Sequence, residues 1–219
     1  MQKGLTELVF ILDRSGSMSG LESDTIGGFN GMLNKQKKEE GDTNVTTVLF
    51  DDQIEIIHDR FPIKAVKPMT DADYYVRGCT ALLDAVGSTV KKVENIQKRL
   101  PEEMRADKVI FVITTDGMEN SSQEYSYNMV KKMIASNQEK GWQFLFFGAN
   151  IDAAEEAEKI GICRTHAASY KNDAKGVALN YEAADQILSC MRSVDCSQEE
   201  LDMKIPQFLK KVKGHLEDE

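Results

Sequence analysis

The stretch FILDRSGSMSG, residues 10–20, joins an apolar run to a polar one. Residues 9–12 are continuously apolar, which is typical of a strand buried on both faces of a parallel sheet. Asp13 follows directly, and serines then occupy positions 15, 17 and 19. Because ligands bind at the carboxyl ends of the strands in such sheets, this arrangement predicts a functional site directly after the strand.

Two interpretations of these hydroxyls are open. GSMSG, residues 16–20, is similar to the G-x-S-x-G pattern of a hydrolase nucleophile turn, with Ser19 as the nucleophile one position after the centre of the pattern, which Met18 occupies. Asp116 and His166 follow it in the order that such hydrolases show. The other interpretation is a hard cation held by oxygen ligands, namely Asp13, Ser15 and Ser17. A nucleophile turn needs several strands before it, and only one precedes Ser19, so we favour the cation.

The rest of the chain alternates between strand and helix patterns. Strands are predicted at residues 7–13, 44–52, 53–59, 108–116, 142–148 and 164–170. Helices are predicted at residues 21–38, 81–99, 122–137 and 177–191. Capping patterns predict a short helix after Asp152 and a last one after Ser197, which Pro206 would kink or restart. This alternation predicts an α/β fold with an open, mostly parallel sheet and helices on both faces. A hairpin near Asp51 predicts one antiparallel edge strand.

The composition argues against several functions. Basic residues number 27 and acidic residues 36, a formal charge of −9, which disfavours nucleic acid or an anionic membrane as the partner. The longest apolar runs are strand-sized, and the first ten residues show no apolar core of a signal peptide. The cysteines lack the spacing of a metal site, so we expect reduced thiols in a cytoplasmic protein. They are Cys79, Cys163, Cys190 and Cys196.

Three loops predicted at one edge of the sheet carry side chains that offer only oxygen: Asp13, Ser15, Ser17, Thr80 and Asp116. Such a set suits Mg²⁺, Mn²⁺ or Ca²⁺ and would be poor for zinc. Only two of these side chains are carboxylates, so they would neutralise a divalent ion without excess negative charge. Mg²⁺ prefers six oxygens, and a coordination position left open would suit a carboxylate from another molecule. The sequence therefore predicts a receptor for an acidic side chain of a protein partner.

Taken singly, these residues also have structural explanations. Thr80 alone is most often a helix N-cap, and Asp116 with Gly117 is a common turn, so a metal-free scaffold is one alternative. A metal-dependent hydrolase, such as a phosphatase or esterase using the same cation, is another. No base or nucleophile is evident beside the predicted ion, so we expect a binding protein and not an enzyme.

Three segments together resemble the von Willebrand factor A (VWA) domain family. DRSGSM, residues 13–18, fits the D-x-S-x-S motif of that family. GCTAL, residues 78–82, resembles its threonine loop, and TTDGMEN, residues 114–120, resembles its second aspartate loop. The resemblance covers roughly residues 5–191 in the expected order. It implies a Rossmann-like VWA fold with a complete metal-ion-dependent adhesion site (MIDAS), of the bacterial, cytoplasmic type.

The resemblance also implies roles for single residues. Ser15 and Ser17 would bind the cation directly, and Thr80 directly or through water. Asp13 and Asp116 would act through bound waters or as close carboxylate partners.

Two further expectations follow from the resemblance. Gly16 and Gly117 would let the backbone turn tightly near the ion. The VWA domain is expected to span residues 1–196, with an amphipathic helix and an acidic tail, residues 197–219, appended to the same domain.

Overall fold

The sheet has six strands in the computed structural model, which describes residues 4–149, 151–193 and 195–217. The strands are β1 (Thr6–Asp13), β2 (Thr43–Phe50), β3 (Ile54–Pro62), β4 (Lys108–Thr115), β5 (Gln143–Ala149) and β6 (Ala167–Tyr170). They follow the order β3-β2-β1-β4-β5-β6. Neighbours are parallel except β2 and β3, which pair antiparallel at the edge. The predicted mostly parallel sheet with one antiparallel edge strand is confirmed.

Helices cover both faces of this sheet. They are α1 (Glu22–Gln36), α2 (Leu82–Arg99), α3 (Tyr127–Gln138), α4 (Ala153–Lys159), α5 (Ala174–Arg192), α6 (Gln198–Phe208) and α7 (Lys210–Glu217). Leu8 and Phe10 of β1 enter one apolar cluster together with residues of α1, α5, α6 and α7. Val9 and Ile11 enter the other, together with residues of α2, α3 and α4. None of the helices in the described ranges combines the length and the apolar composition that crossing a bilayer demands.

The parallel register places the ends of β1 and β4 side by side. Leu12 pairs with Thr114, so Asp13 and Asp116 lie at the same edge of the sheet. The chain passes from β1 to β2 on one side and later to β4 on the other. Between β1 and β4 the direction of winding therefore reverses, and this is where ligands bind in open α/β sheets.

Helix α3 begins later than the sequence predicts. A start at residue 122 was expected, but residues 122–126 form a loop, and Ser126 is the N-cap of a helix that begins at Tyr127. The carboxylate of Asp84 in α2 accepts hydrogen bonds from the backbone amides of residues 123, 124 and 125, at 2.8 to 2.9 Å. These contacts hold the amides in a loop, so the predicted start was wrong because a distant side chain binds them.

The C-terminal segment adds two helices to the layer that contains α5. Ser197 and Glu200 form the predicted capping box at the start of α6. Pro206 lies near the end of α6, and the chain restarts as α7, so the predicted interruption is present. Ile205 and Val212 are buried in the same cluster as residues of α5, so α6 and α7 share its core.

The prediction that the cysteines are reduced is wrong for two of them. Cys190 in α5 and Cys196 before α6 form a disulfide. Their Cα atoms lie 5.9 Å apart, a separation typical of disulfides, because the chain turns between the two helices. Cys79 and Cys163 are free and exposed.

Candidate metal centre

Hydrogen bonds link the five oxygen-bearing side chains into one cluster. Thr80 Oγ1 donates to Ser15 Oγ at 3.0 Å, and Ser15 Oγ lies 3.1 Å from Ser17 Oγ. Ser17 Oγ in turn donates to Asp116 Oδ1. Asp13 Oδ1 accepts from the backbone amide of Ser15 at 2.7 Å. The structure therefore brings together all the residues that the sequence placed at one edge of the sheet.

Asp13 is held from two sides at the end of β1. One oxygen accepts from Ser15, and the other accepts from the Thr115 hydroxyl at 2.6 Å. Asp13 is only 1% exposed, and this burial raises its pKa above the usual value. The hydrogen bonds from Ser15 and Thr115 oppose the shift without cancelling it. Because both oxygens are already engaged, this carboxylate supports the serine loop. Sequence reasoning missed Thr115, and the available signal was a hydroxyl at the end of an otherwise apolar strand.

Asp116 has an oxygen without a protein partner. Its Oδ2 is buried and accepts no hydrogen bond from the described residues, and the residue is only 4% exposed. Burial, with a smaller contribution from the nearby Asp13 charge, raises the pKa of Asp116 to about 6, against the lowering effect of the Ser17 hydrogen bond. A buried carboxylate without a compensating partner is costly, and a cation would remove that cost.

The spacing of the hydroxyls fits a small cation. Two neighbouring ligands of an octahedral ion lie about 3.0 Å apart when the metal–oxygen bonds are about 2.1 Å long. The distances of 3.0 and 3.1 Å from Ser15 Oγ to Thr80 Oγ1 and Ser17 Oγ agree with that geometry. The donor set and its spacing are therefore compatible with a small divalent cation.

The loop after β4 is fastened to the start of α2. Asn120 Oδ1 accepts from the Thr80 amide at 2.9 Å, and the Asn120 amide donates to the Thr80 carbonyl at 3.0 Å. Glu119 Oε2 accepts from the Leu83 amide at 2.9 Å. Asn120 and Glu119 therefore hold the threonine loop against the second aspartate loop.

A buried arginine lies inside the motif, which sequence reasoning missed. Arg14 is 0% exposed; its Nε donates to Asp51 Oδ2 at 2.9 Å and its Nη1 to Glu55 Oε2 at 2.8 Å. Its guanidinium also lies 5.2 Å from the ring centroid of Tyr75. Burial alone would raise the pKa of Asp51, but Arg77 and Arg14 hold it below its usual range. The ion pairs fix the backbone between Asp13 and Ser15.

Of the two glycines near the cluster, Gly117 has a different role from the one expected. Gly16 and Gly117 do not have the positive φ of a left-handed turn, whereas Gly78 does, with φ of 69°. Gly117 is needed for space, because a Cβ there would lie 2.8 Å from Thr80 Oγ1 and 3.3 Å from Ser17 Oγ.

Replacing Gly117 by alanine is expected to weaken divalent-cation binding by about 10-fold or more, because the methyl group would displace two oxygens of the cluster. Titration calorimetry with Mg²⁺ measures the change. Gly27→Ala in α1 is the matched control, since a Cβ there meets nothing within 4 Å. Equal affinity in the Gly117 variant and the control would contradict the expectation.

The structure does not assemble the nucleophile-turn alternative. The Asp116 carboxylate is bonded to Ser17 and not to a histidine. His166 precedes the first residue of β6, whereas the cluster lies after the last residues of β1 and β4. Its Nε2 lies 3.9 Å from a carboxylate oxygen of Asp202. Ser19, Asp116 and His166 therefore do not form a triad.

Comparisons with known proteins identify the fold. No family model and no curated protein matches the chain. Proximal thread matrix protein 1 from the mussel byssus has a TM-score of 0.57 and 14% identity, over 86% of this chain and 47% of that chain. The vWF domain of the type V pili tip protein Mfa5 from Porphyromonas gingivalis has a TM-score of 0.60 and 11% identity, over 89% of this chain and 98% of that chain. Manganese-loaded TRAP protein from Plasmodium vivax has a TM-score of 0.53 and 16% identity, over 81% of this chain and 73% of that chain.

These structural neighbours are VWA-domain proteins, so the sheet and its helices share the VWA fold. At 11 to 16% identity the likeness concerns the fold alone. The chain spans about half the length of the mussel protein. Another structure of the mussel protein has a zinc-occupied MIDAS motif.

Proposed function

We propose that this protein is a divalent-cation-dependent binding module that captures an acidic side chain of a protein partner. The observation that carries the proposal is the buried, unpartnered Oδ2 of Asp116 beside three clustered hydroxyls. Asp13, Ser15, Ser17, Thr80 and Asp116 would form a complete MIDAS around the ion. Mg²⁺ is the proposed cation and Mn²⁺ its nearest substitute; the manganese- and zinc-containing neighbours support a divalent ion in this fold.

The charge balance favours a carboxylate as the visiting group. Asp13 and Asp116 would neutralise a bound divalent ion without excess negative charge, so an open coordination position would still accept a further anionic oxygen. Gly16 and Ser17 are exposed, so the cluster has one side that another molecule can approach. When bound, the ion would supply a Lewis-acidic centre, and the protein would hold it and leave that side accessible.

We propose binding and not catalysis. Two of the three histidines have other partners: His58 Nδ1 lies 3.1 Å from Thr47 Oγ1, and His215 Nε2 lies 3.1 Å from Asp173. No described hydrogen bond connects any histidine to the five-oxygen cluster. A cytoplasmic location stays a prediction from the sequence.

The first test is metal binding by matched serine variants. Ser15→Ala is expected to weaken Mg²⁺ and Mn²⁺ binding by about 100-fold or more, because it removes the central oxygen of the cluster. Ser19→Ala is the control, since Ser19 belongs to the same run of serines but is exposed and outside the cluster. Titration calorimetry measures both. Equal binding by the two variants, or no binding by the unaltered protein, would remove the metal site.

The second test uses a defined acidic probe. Two short peptides that differ only by a glutamate or a glutamine at their centre are titrated in Mg²⁺ and in chelator. The glutamate peptide is expected to shift the amide resonances of Ser17 and Thr80 only when Mg²⁺ is present. If both peptides bind equally, or if chelator has no effect, capture of a carboxylate is wrong.

A further inference from the structure

Residues 73–80, here called the strap, run alongside the D-x-S-x-S loop and are bonded to it. The Tyr74 hydroxyl donates to the backbone carbonyl of Asp13 at 2.6 Å. The Arg77 amide donates to the Arg14 carbonyl at 2.9 Å. Two successive carbonyls of the metal loop are therefore held by the strap before the first serine ligand is reached.

The same strap also holds the middle of the loop. The Gly16 amide donates to the Gly78 carbonyl at 3.2 Å, and Thr80 Oγ1 donates to Ser15 Oγ at 3.0 Å. The strap thus ends in a proposed ligand, Thr80, and fixes the loop that carries two others. A change in the strap would move Thr80 relative to Ser15.

Tyr74 anchors the strap in the core. It is 1% exposed and belongs to the apolar cluster that includes Phe29 of α1 and Tyr181 of α5. The ring is fixed by packing, and its hydroxyl position is therefore set independently of any ligand.

We propose that Tyr74 is a positioning residue that makes the metal centre selective for a small cation. This inference rests on the proposed function. Mg²⁺ requires near-ideal octahedral geometry, whereas Ca²⁺ accepts six to eight oxygens in flexible arrangements. A loop held by the strap keeps the Ser15, Ser17 and Thr80 oxygens at the spacing of the small ion. A loosened loop would still suit Ca²⁺ but would no longer match Mg²⁺.

The test compares the affinities of Mg²⁺ and Ca²⁺ in three proteins. Tyr74→Phe keeps the ring and removes the hydrogen bond to Asp13, so Mg²⁺ binding is expected to weaken by about 10-fold or more. Ca²⁺ binding is expected to change by about twofold or less, because its coordination adapts. Tyr181→Phe is the matched control: Tyr181 is also buried, at 6% exposed, and its hydroxyl has no partner in the described part of the chain.

The ratio of the two affinities separates positioning from general destabilisation. Thermal unfolding in chelator shows whether each variant is folded at the titration temperature. If Tyr74→Phe does not fold, Gly78→Ala replaces it, because a side chain at φ of 69° and 2.3 Å from Asp52 Oδ1 would displace the strap at its other end. If the ratio of the Mg²⁺ and Ca²⁺ affinities were unchanged in the folded variant, the positioning role would be overturned, and the proposed function would stay intact. If the unaltered protein bound neither ion, the proposed function would fall, and this inference with it.

Discussion

Replacing Asp116 by asparagine is expected to abolish divalent-cation binding and, at the same time, to stabilise the metal-free protein. The two effects have one cause. Asp116 Oδ2 is buried without a partner among the described residues, so its negative charge is costly until a cation binds it. Asparagine has nearly the same shape and no charge. Asparagine therefore removes the unfavourable free energy of the buried charge in the metal-free state. It also removes the electrostatic attraction to the cation in the metal-bound state.

The pH dependence of stability follows from the direction of the pKa shift. The pKa of Asp116 is about 6 in the folded protein, above the reference value of 3.8. The folded state therefore binds this proton more tightly than the unfolded state, so the free energy of unfolding falls as the pH rises from about 4 to about 6. The loss is about 1 to 3 kcal/mol at pH 7, since one pKa unit corresponds to about 1.4 kcal/mol.

Urea denaturation in chelator measures this effect. Asp116→Asn is expected to exceed the unaltered protein in stability at pH 7 and to match it near pH 3, where the carboxyl is mostly protonated in both the folded and the unfolded state. Asp71→Asn is the control, because Asp71 is an exposed turn residue and its charge should matter little. Calorimetry at pH 7 should show no Mg²⁺ binding by Asp116→Asn. A variant that is less stable at pH 7, or that still binds Mg²⁺, would contradict the account of the site.

The sequence predicted the parts of the molecule that depend on neighbouring residues. The run before Asp13 and the run before Asp116 are continuous, apolar and short, so both buried strands and their shared edge followed from local pattern. The cluster of Asp13, Ser15, Ser17, Thr80 and Asp116 could be proposed because each residue directly follows a strand or precedes a helix. Once β1 and β4 pair in parallel, little freedom remains in where these side chains lie.

The missed features depend on partners far away in the sequence. Tyr74 reaches Asp13 across 61 positions, and Thr115 reaches it across 102. The carboxylate of Asp84 binds amides about 40 positions later and so delays the start of α3. Helical spacing of apolar residues carries no information about such contacts, because they exist only after the loops have docked.

Replacing Arg14 by methionine is expected to destabilise the protein by about 3 to 5 kcal/mol, the usual cost of removing one partner of a buried ion pair. Asp51 is as fully buried as Arg14, and it would keep only the partly exposed Arg77 as a cationic partner. The lost guanidinium also leaves the Tyr75 ring without one of the two cations beside it. Methionine fills much of the volume of the arginine side chain, so the loss of stability reports more on the missing charge than on packing.

A surface ion pair and a second substitution give this prediction its controls. Lys92→Ala breaks the exposed pair with Asp59 and should cost no more than about 1 kcal/mol. Asp51→Asn in the Arg14→Met background should recover part of the lost stability, because it removes the uncompensated charge. Chemical denaturation in chelator measures all three proteins. If Arg14→Met cost no more than Lys92→Ala, or if Asp51→Asn recovered nothing, the buried pair would not be what fixes the backbone between Asp13 and Ser15.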